Sequence, residues 1–159
     1  MTQRIDYLQQ SPGLFRKYLE FSNAAKDSRI GTPLADLVAL RASQMNGCGF
    51  CVDMHVKQAR IHGERELRLH HLAIWRESTL FDARERAALA WTEILTRLPE
   101  QGVPDDIYEA VRAQFSEQEI TELTYAVMAI NGWNRINVAF RAVPGSRDKE
   151  FGLDKAKLA

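Results

Sequence analysis

A chain of 159 residues is long enough for one domain with a substantial core. Its 21 Lys+Arg balance 21 Asp+Glu, so no net charge draws it to nucleic acid or to an anionic membrane. No apolar run reaches the ~18 residues of a membrane span, and Met1-Thr2-Gln3-Arg4-Ile5-Asp6 leads into no signal-peptide hydrophobic region. The expected compartment is therefore the cytoplasm, where two cysteines are more often catalytic or metal-binding than a structural staple.

Residues 1–12 read as an extended arm closed by Ser11-Pro12-Gly13. From Leu14 to about Ala25 the apolar residues Leu14, Tyr18, Leu19 and Phe21 recur at helical spacing. Thr32-Pro33 is a helix start, with Thr32 as N-cap and Pro33 as first helical residue. That helix carries Leu34, Leu37, Val38, Leu40 and Met45 and stops at Asn46-Gly47. The next helix begins at once with Cys48 in its first turn and ends at Gly63-Glu64, so the two form a hairpin with almost no connection.

A fourth helix is expected over Arg65–Arg76. Asp82 with Glu85 three residues on opens an Ala-rich helix running to about Leu98. Asp105 and Asp106 suit the start of a short helix to about Gln114. Ser116 with Glu119 is a capping box, followed by a long pattern through Ile120, Leu123, Val127, Ile130, Ile136, Val138 and Phe140. The tail from Pro144 to Ala159 is polar and reads as peripheral. No run alternates in the manner of a strand. The expected fold is all-α, a single domain of about seven helices.

Cys48, Cys51 and His55 stand at i, i+3 and i+7, which places them on one stripe of one helix. A thiolate, not a thiol, is the nucleophile, and its pKa falls at a helix N-terminus, beside a histidine and within a Cys-x-x-Cys pair. His55, one turn after Cys51, can accept the thiol proton or hold it as an ion pair. A peroxide can oxidise such a thiolate to a sulfenic acid, which the second thiol traps as a disulfide that an external dithiol must reduce.

Other readings of these residues are weaker. Zinc needs four ligands, and this stripe supplies three; His62 lies about 10 Å along the axis at 1.5 Å per residue. A c-type haem needs a histidine directly after the second cysteine, where Val52 stands. A thioredoxin-like role needs a βαβ context that the pattern lacks. His70 and His71 point about 100° apart on a helix and read as solvated. Asn131, Trp133, Asn134, Arg135 and Asn137 read as a structural polar network or a subunit contact, with Gly132 admitting a close backbone.

The stretch Leu40-Arg41-Ala42-Ser43-Gln44-Met45-Asn46-Gly47-Cys48-Gly49-Phe50-Cys51-Val52-Asp53-Met54-His55 resembles the signature of the AhpD-like alkylhydroperoxidases of the carboxymuconolactone decarboxylase superfamily. The likeness continues through His62-Gly63-Glu64, Trp75-Arg76-Glu77, Glu85 to Ala90 and Ala129 to Asn137. It implies one AhpD-like helical domain over residues 1–159, with an arm at 1–12, a core at 14–142 and a tail at 144–159. It also implies a homo-oligomer, trimeric or hexameric, that reduces hydroperoxides without a cofactor or metal.

By the same resemblance Cys48 and Cys51 are the redox pair and His55 is in the proton relay. The relay's glutamate, twelve residues before the first cysteine, falls at Asp36, one methylene shorter; Ser43 lies two turns further on the same face. Placement at the helix start favours Cys48 as the attacking thiol, and proximity to His55 favours Cys51. The relay inclines the assignment to Cys51, with Cys48 resolving. The expected partners are an alkyl or hydrogen peroxide and a dithiol reductant, lipoyl or thioredoxin-like. Two alternatives remain: a thiol sensor or disulfide carrier without peroxide turnover, and a lactone-type decarboxylase, for which a vicinal thiol pair has no use.

Overall fold

The computed structural model describes residues 2–158; Met1 and Ala159, the outer ends of the expected arm and tail, lie outside them. The described residues contain no strand, as the helical spacing of the apolar residues requires. The α-helices in chain order are α1 (Tyr7–Gln10), α2 (Pro12–Lys26), α3 (Thr32–Met45), α4 (Gly49–Ile61), α5 (Glu66–His71), α6 (Ala83–Thr96), α7 (Asp105–Arg112), α8 (Glu117–Phe140) and α9 (Asp148–Phe151). Short 3₁₀ turns cover Leu72–Ile74 and Leu153–Ala156. None of these helices is long and apolar enough to cross a membrane.

Helix α3 is the axis of the fold. Leu34, Ala35, Asp36, Leu37, Val38, Leu40, Ala42 and Ser43 are all buried, and residues at such spacing cover the whole circumference of a helix. Leu34 and Val38 pack with Trp91, Leu123 and Val127. Leu37 and Leu40 face Leu72, Trp75 and Leu89. Ala42 joins Cys48, Phe50, Cys51 and Ile130. Helices α4, α6 and α8 therefore all pack on α3, and whatever α3 carries inward is held from several sides.

The capping boxes expected at Asp82 and Ser116 are both formed, with Glu85 and Glu119 as their reciprocal partners. The start of α3 differs by one residue: Gly31, at φ 82°, is the N-cap, and Thr32 lies inside the helix without a capping bond. Buried Ile30 pins the chain just before that turn, and a left-handed backbone there suits glycine. Helix α5 is shorter than the expected Arg65–Arg76. The Arg86 guanidinium donates to the carbonyls of Trp75, Arg76 and Ser78 at 2.9–3.0 Å, groups that a continuing helix would keep for itself.

Both ends of the chain are more ordered than their polarity suggested. The arm contains α1, whose Leu8 N–H donates to the Asp6 carboxylate at 3.1 Å, and Arg4 N donates to the Phe140 carbonyl at 2.8 Å. The tail docks through ions: Lys57 of α4 donates to Asp53 and Asp148 at 2.7 Å each, and Arg147 meets Asp6 at 3.1 Å. Leu153 is buried in the second 3₁₀ turn, which packs on α4. A segment held by salt bridges and one leucine has no apolar period to betray it.

Gly132 in the middle of α8 admits a side chain rather than a backbone. The Tyr18 hydroxyl, donating to the Ala129 carbonyl at 2.9 Å, lies 1.9 Å from where a Cβ on Gly132 would stand. Helix propensity alone would make Gly132→Ala stabilising by about 1 kcal/mol. The clash with Tyr18 reverses the sign: the variant is expected to lose about 1–3 kcal/mol, read as a lower denaturation midpoint in urea with unchanged slope.

Candidate active site

Helices α3 and α4 are joined by Asn46, Gly47 and Cys48, with Gly47 at φ 63°. Cys48 is the N-cap of α4, and its Sγ accepts the Cys51 backbone N–H at 3.3 Å. The sulfur thus occupies the place usually taken by a serine or aspartate oxygen, where unpaired N–H groups and the helix dipole favour negative charge. Cys51 sits one turn in, and the two are joined as a disulfide with Cα atoms 5.3 Å apart. Both are buried, at 1% and 0% exposure. No bulk water reaches either sulfur.

His55 follows Cys51 by one turn of α4. Its Nδ1 is 3.0 Å from the Gln58 Oε1, an amide oxygen that accepts, which assigns the ring proton to Nδ1. Its Nε2 is buried and has no hydrogen-bond partner. Burial, aided by the nearby Lys26 ammonium, lowers the imidazole to about 4, against which the Gln58 bond acts weakly. In total area the residue is only partly buried. The nitrogen that must take the proton is sealed, however, and it sets the cost of charging the ring. At neutral pH His55 is an uncharged base with a free lone pair on Nε2.

Asp36 is buried on α3 at 3% exposure. Its carboxylate has found a different histidine from the expected one: Oδ2 is 2.5 Å from the Nδ1 of His62, and Oδ1 is 3.8 Å from the Lys26 Nζ. His62 is the C-cap residue of α4, and its side chain is 33% exposed. Its distance along the axis from His55 set it aside as a metal ligand, but Asp36 reaches it from another helix. Ser43 on α3 takes no part with Asp36; its hydroxyl donates to the Ala39 carbonyl and accepts from Asn134. Arg41 is held by Glu93 at 2.6 Å.

Asp36 and His55 nevertheless face one space. A cavity of about 290 Å³ is lined by both, together with Lys26, Phe15, Leu19, Phe50, Met54 and Trp133. Phe50 and Met54 also pack with the disulfide. The walls are apolar and aromatic, with a neutral base, a carboxylate and an ammonium set among them. Such a space takes an organic molecule with one reactive polar end.

Asn131 and Asn134 of α8 form the polar network their positions suggested: the Asn46 amide donates to both, at 3.0 and 2.9 Å. Asn137 departs from it. Its Nδ2 donates to the Cys51 Sγ at 3.4 Å, and its Oδ1 accepts the Tyr7 hydroxyl at 2.9 Å. Both Tyr7 and Asn137 line the cavity. Neither carried a local signal, for Tyr7 lies in the arm and Asn137 is 86 residues from the cysteine it meets.

The pattern of the carboxymuconolactone decarboxylase family matches residues 12–93. The uncharacterized protein YdfG of Bacillus subtilis is 37% identical over 139 residues, covering 87% of this chain and 95% of its own. A solved structure from Agrobacterium tumefaciens superimposes with a TM-score of 0.87 at 43% identity, covering 90% of this chain and 98% of that one. It is of a protein of unknown function whose name links it to the antioxidant defence protein AhpD. An uncharacterized peroxidase-related protein with an AhpD core, from Ralstonia eutropha, shares the fold at 20% identity, with a TM-score of 0.78 over 88% of this chain and 75% of its own. The chain belongs to the carboxymuconolactone decarboxylase family and within it is AhpD-like.

Proposed function

We propose that this chain is a thiol-dependent peroxidase that reduces organic hydroperoxides through Cys48 and Cys51 and is returned to the dithiol by a dithiol reductant of the lipoyl or thioredoxin type. One observation carries the reading: a cysteine pair at a helix N-terminus lies behind an apolar cavity into which a sealed, uncharged histidine faces. The antioxidant name of the Agrobacterium relative agrees with it.

The chemistry follows from the groups present. In the reduced protein His55 Nε2 takes the proton of the Cys51 thiol, and the thiolate attacks the terminal oxygen of the hydroperoxide. The O–O bond breaks, an S–O bond forms, and the leaving alkoxide takes a proton from His55 or from the Asp36–His62 pair. Cys48 then attacks the Cys51 sulfenic acid, forming the disulfide and releasing the hydroxyl as water. Two thiols and one hydroperoxide give a disulfide, an alcohol and water. Imidazolium in a sealed site beside Lys26 is costly, so the proton held by His55 is readily passed to the alkoxide.

Cys51 is the attacking sulfur in this scheme because His55 is one turn from it and Asn137 donates to it. Cys48, holding the helix cap, resolves. One equivalent of cumene hydroperoxide added to the reduced protein is expected to remove both thiols as an intrachain disulfide. In Cys48→Ser the sulfenic acid is expected to persist on Cys51 and to be labelled by dimedone. His55→Ala is expected to slow the thiol loss roughly 10²-fold or more. Two thiols unchanged after peroxide would end the peroxidase reading, and dimedone label on Cys48 in Cys51→Ser, with none on Cys51 in the other variant, would reverse the assignment.

A neutral buried His55 also has a cost that depends on pH. Its folded value of about 4 lies below the ~6.5 of an unfolded histidine, so between these values the unfolded chain binds the extra proton. Stability is therefore full above about pH 6.5 and falls as the pH drops toward 4, by on the order of 2–3 kcal/mol. Urea unfolding at pH 7 and pH 4.5 should show that loss in the parent and a smaller one in His55→Gln. An NMR titration should find the His55 ring uncharged at pH 5.5.

A further inference from the structure

We propose that Asn137 is a thiolate-binding catalytic residue for Cys51 and that Tyr7 holds its amide in the donating orientation. The inference rests on the reading of Cys51 as the attacking thiol, and it adds a second group, beside His55, that decides how readily that thiol ionises.

The three asparagines on α8 make the case by contrast. Asn131 and Asn134 are consumed by the fold, through Asn46, Thr96 and Ser43. Asn137 is equally buried, at 3% exposure, yet its amide nitrogen donates to a sulfur and its oxygen is taken by a hydroxyl at the wall of the cavity. A disulfide sulfur is a poor acceptor, whereas a thiolate is a strong one, and hydrogen bonds to charged groups contribute about twice as much as neutral ones. The Asn137 N–H therefore favours the reduced, ionised Cys51 far more than the disulfide.

Tyr7 supplies what the amide alone lacks. An asparagine side chain turns either its oxygen or its nitrogen toward a neighbour, and facing the oxygen to a thiolate would repel it. Burial raises the Tyr7 phenol above its usual range, with the Asp6 carboxylate adding to this and Arg147 opposing it, so the hydroxyl keeps its proton. It donates to Oδ1 and so leaves Nδ2 for the sulfur. Phe15, Trp133 and Phe140 surround the Tyr7 ring at 6.2–6.4 Å between centroids, fixing the hydroxyl's position from α1.

The charged and titratable groups around Cys51 can be named. His55 comes from α4 and Tyr7 from α1 beside the Asp6–Arg147 pair. Across the cavity stand Asp36 from α3 and Lys26 from α2. Of these side chains with Asn137, only the amide places an N–H on the sulfur. Reduction by an external dithiol gives the disulfide two electrons and two protons, and the Asn137 N–H favours loss of the proton on Cys51.

The test uses no peroxide, so its outcome is separate from that of the peroxidase reading. In Cys48→Ser, where serine keeps the helix cap, the rate of iodoacetamide alkylation against pH gives the Cys51 pKa. Adding Asn137→Ala is expected to raise it by about one unit, a tenfold fall in the thiol's ionisation constant. Asn137→Asp, which sets a carboxylate against the sulfur, should raise it further. Tyr7→Phe, which removes one hydroxyl and keeps the ring, should raise it by less than Asn137→Ala. With both cysteines present, the disulfide of Asn137→Ala should be about tenfold harder to reduce in equilibrium with dithiothreitol. An unshifted pKa in folded Asn137→Ala would overturn the thiolate contact. If Asn137→Ala fails to fold, Tyr7→Phe decides, and an unshifted pKa there overturns the role of the pair.

Discussion

The side chain of Asn46 fixes the geometry on which the site depends. It stands in the turn between α3 and α4 and donates to Asn131 and Asn134 of α8, so three helices meet at one amide. Gly47, at φ 63°, lets the chain reverse there, and Cys48 caps α4 directly afterwards. Because the turn is tied to α8, the first turn of α4 lies along that helix, and Cys51 faces Asn137 two turns beyond Asn131. If the Asn46 amide were lost, the buried Asn134 Oδ1 would lack a partner, at a cost of about 1–3 kcal/mol, the Asn131 Oδ1 would keep only Arg135 at 3.0 Å, and the sulfur's register against α8 would lose its tie.

Charge is placed around this frame with economy. Only one carboxylate, Asp36, is carried inward on the central helix, and it is met by His62 and Lys26 rather than left bare. His55 is buried uncharged, its Nδ1 matched to Gln58 and its Nε2 left open. An unpaired lone pair in a core costs free energy with no structural return. Because His55 lines the cavity, the unmatched nitrogen is intelligible as a base awaiting a proton.

Much of this was legible because it is local. The capping signals at Asp82 and Ser116, the turn at Asn46-Gly47 and the spacing of Cys48, Cys51 and His55 are each fixed within a few residues, and each appears in the structure near where its pattern sets it. The central role of α3 was not legible because the charged Asp36 and Arg41 on it are matched by His62 and Glu93, which come from other helices. Asp36 with His62, Asn137 with Cys51 and Tyr7 with Asn137 are separated by 26, 86 and 130 residues. No period or spacing encodes such pairings; only the packing of α1, α3, α4 and α8 creates them. The tail escaped notice for a related reason, since it docks by ion pairs to Lys57 and Asp6 instead of by an apolar stripe.

Burial of both sulfurs sets different demands on the two halves of the proposed cycle. The cavity of about 290 Å³ carries His55, Asp36 and Asn137 in its walls, and the proposed peroxide step asks only that a small molecule enter it. A reductant must instead place its own thiolate in line with the Cys48–Cys51 bond, and disulfide exchange requires direct access to a sulfur. Ala142 packs with the pair, and Pro144 lies against Gly49. With both sulfurs buried, the proposed reduction step therefore asks for a wider opening at the pair than the peroxide step does.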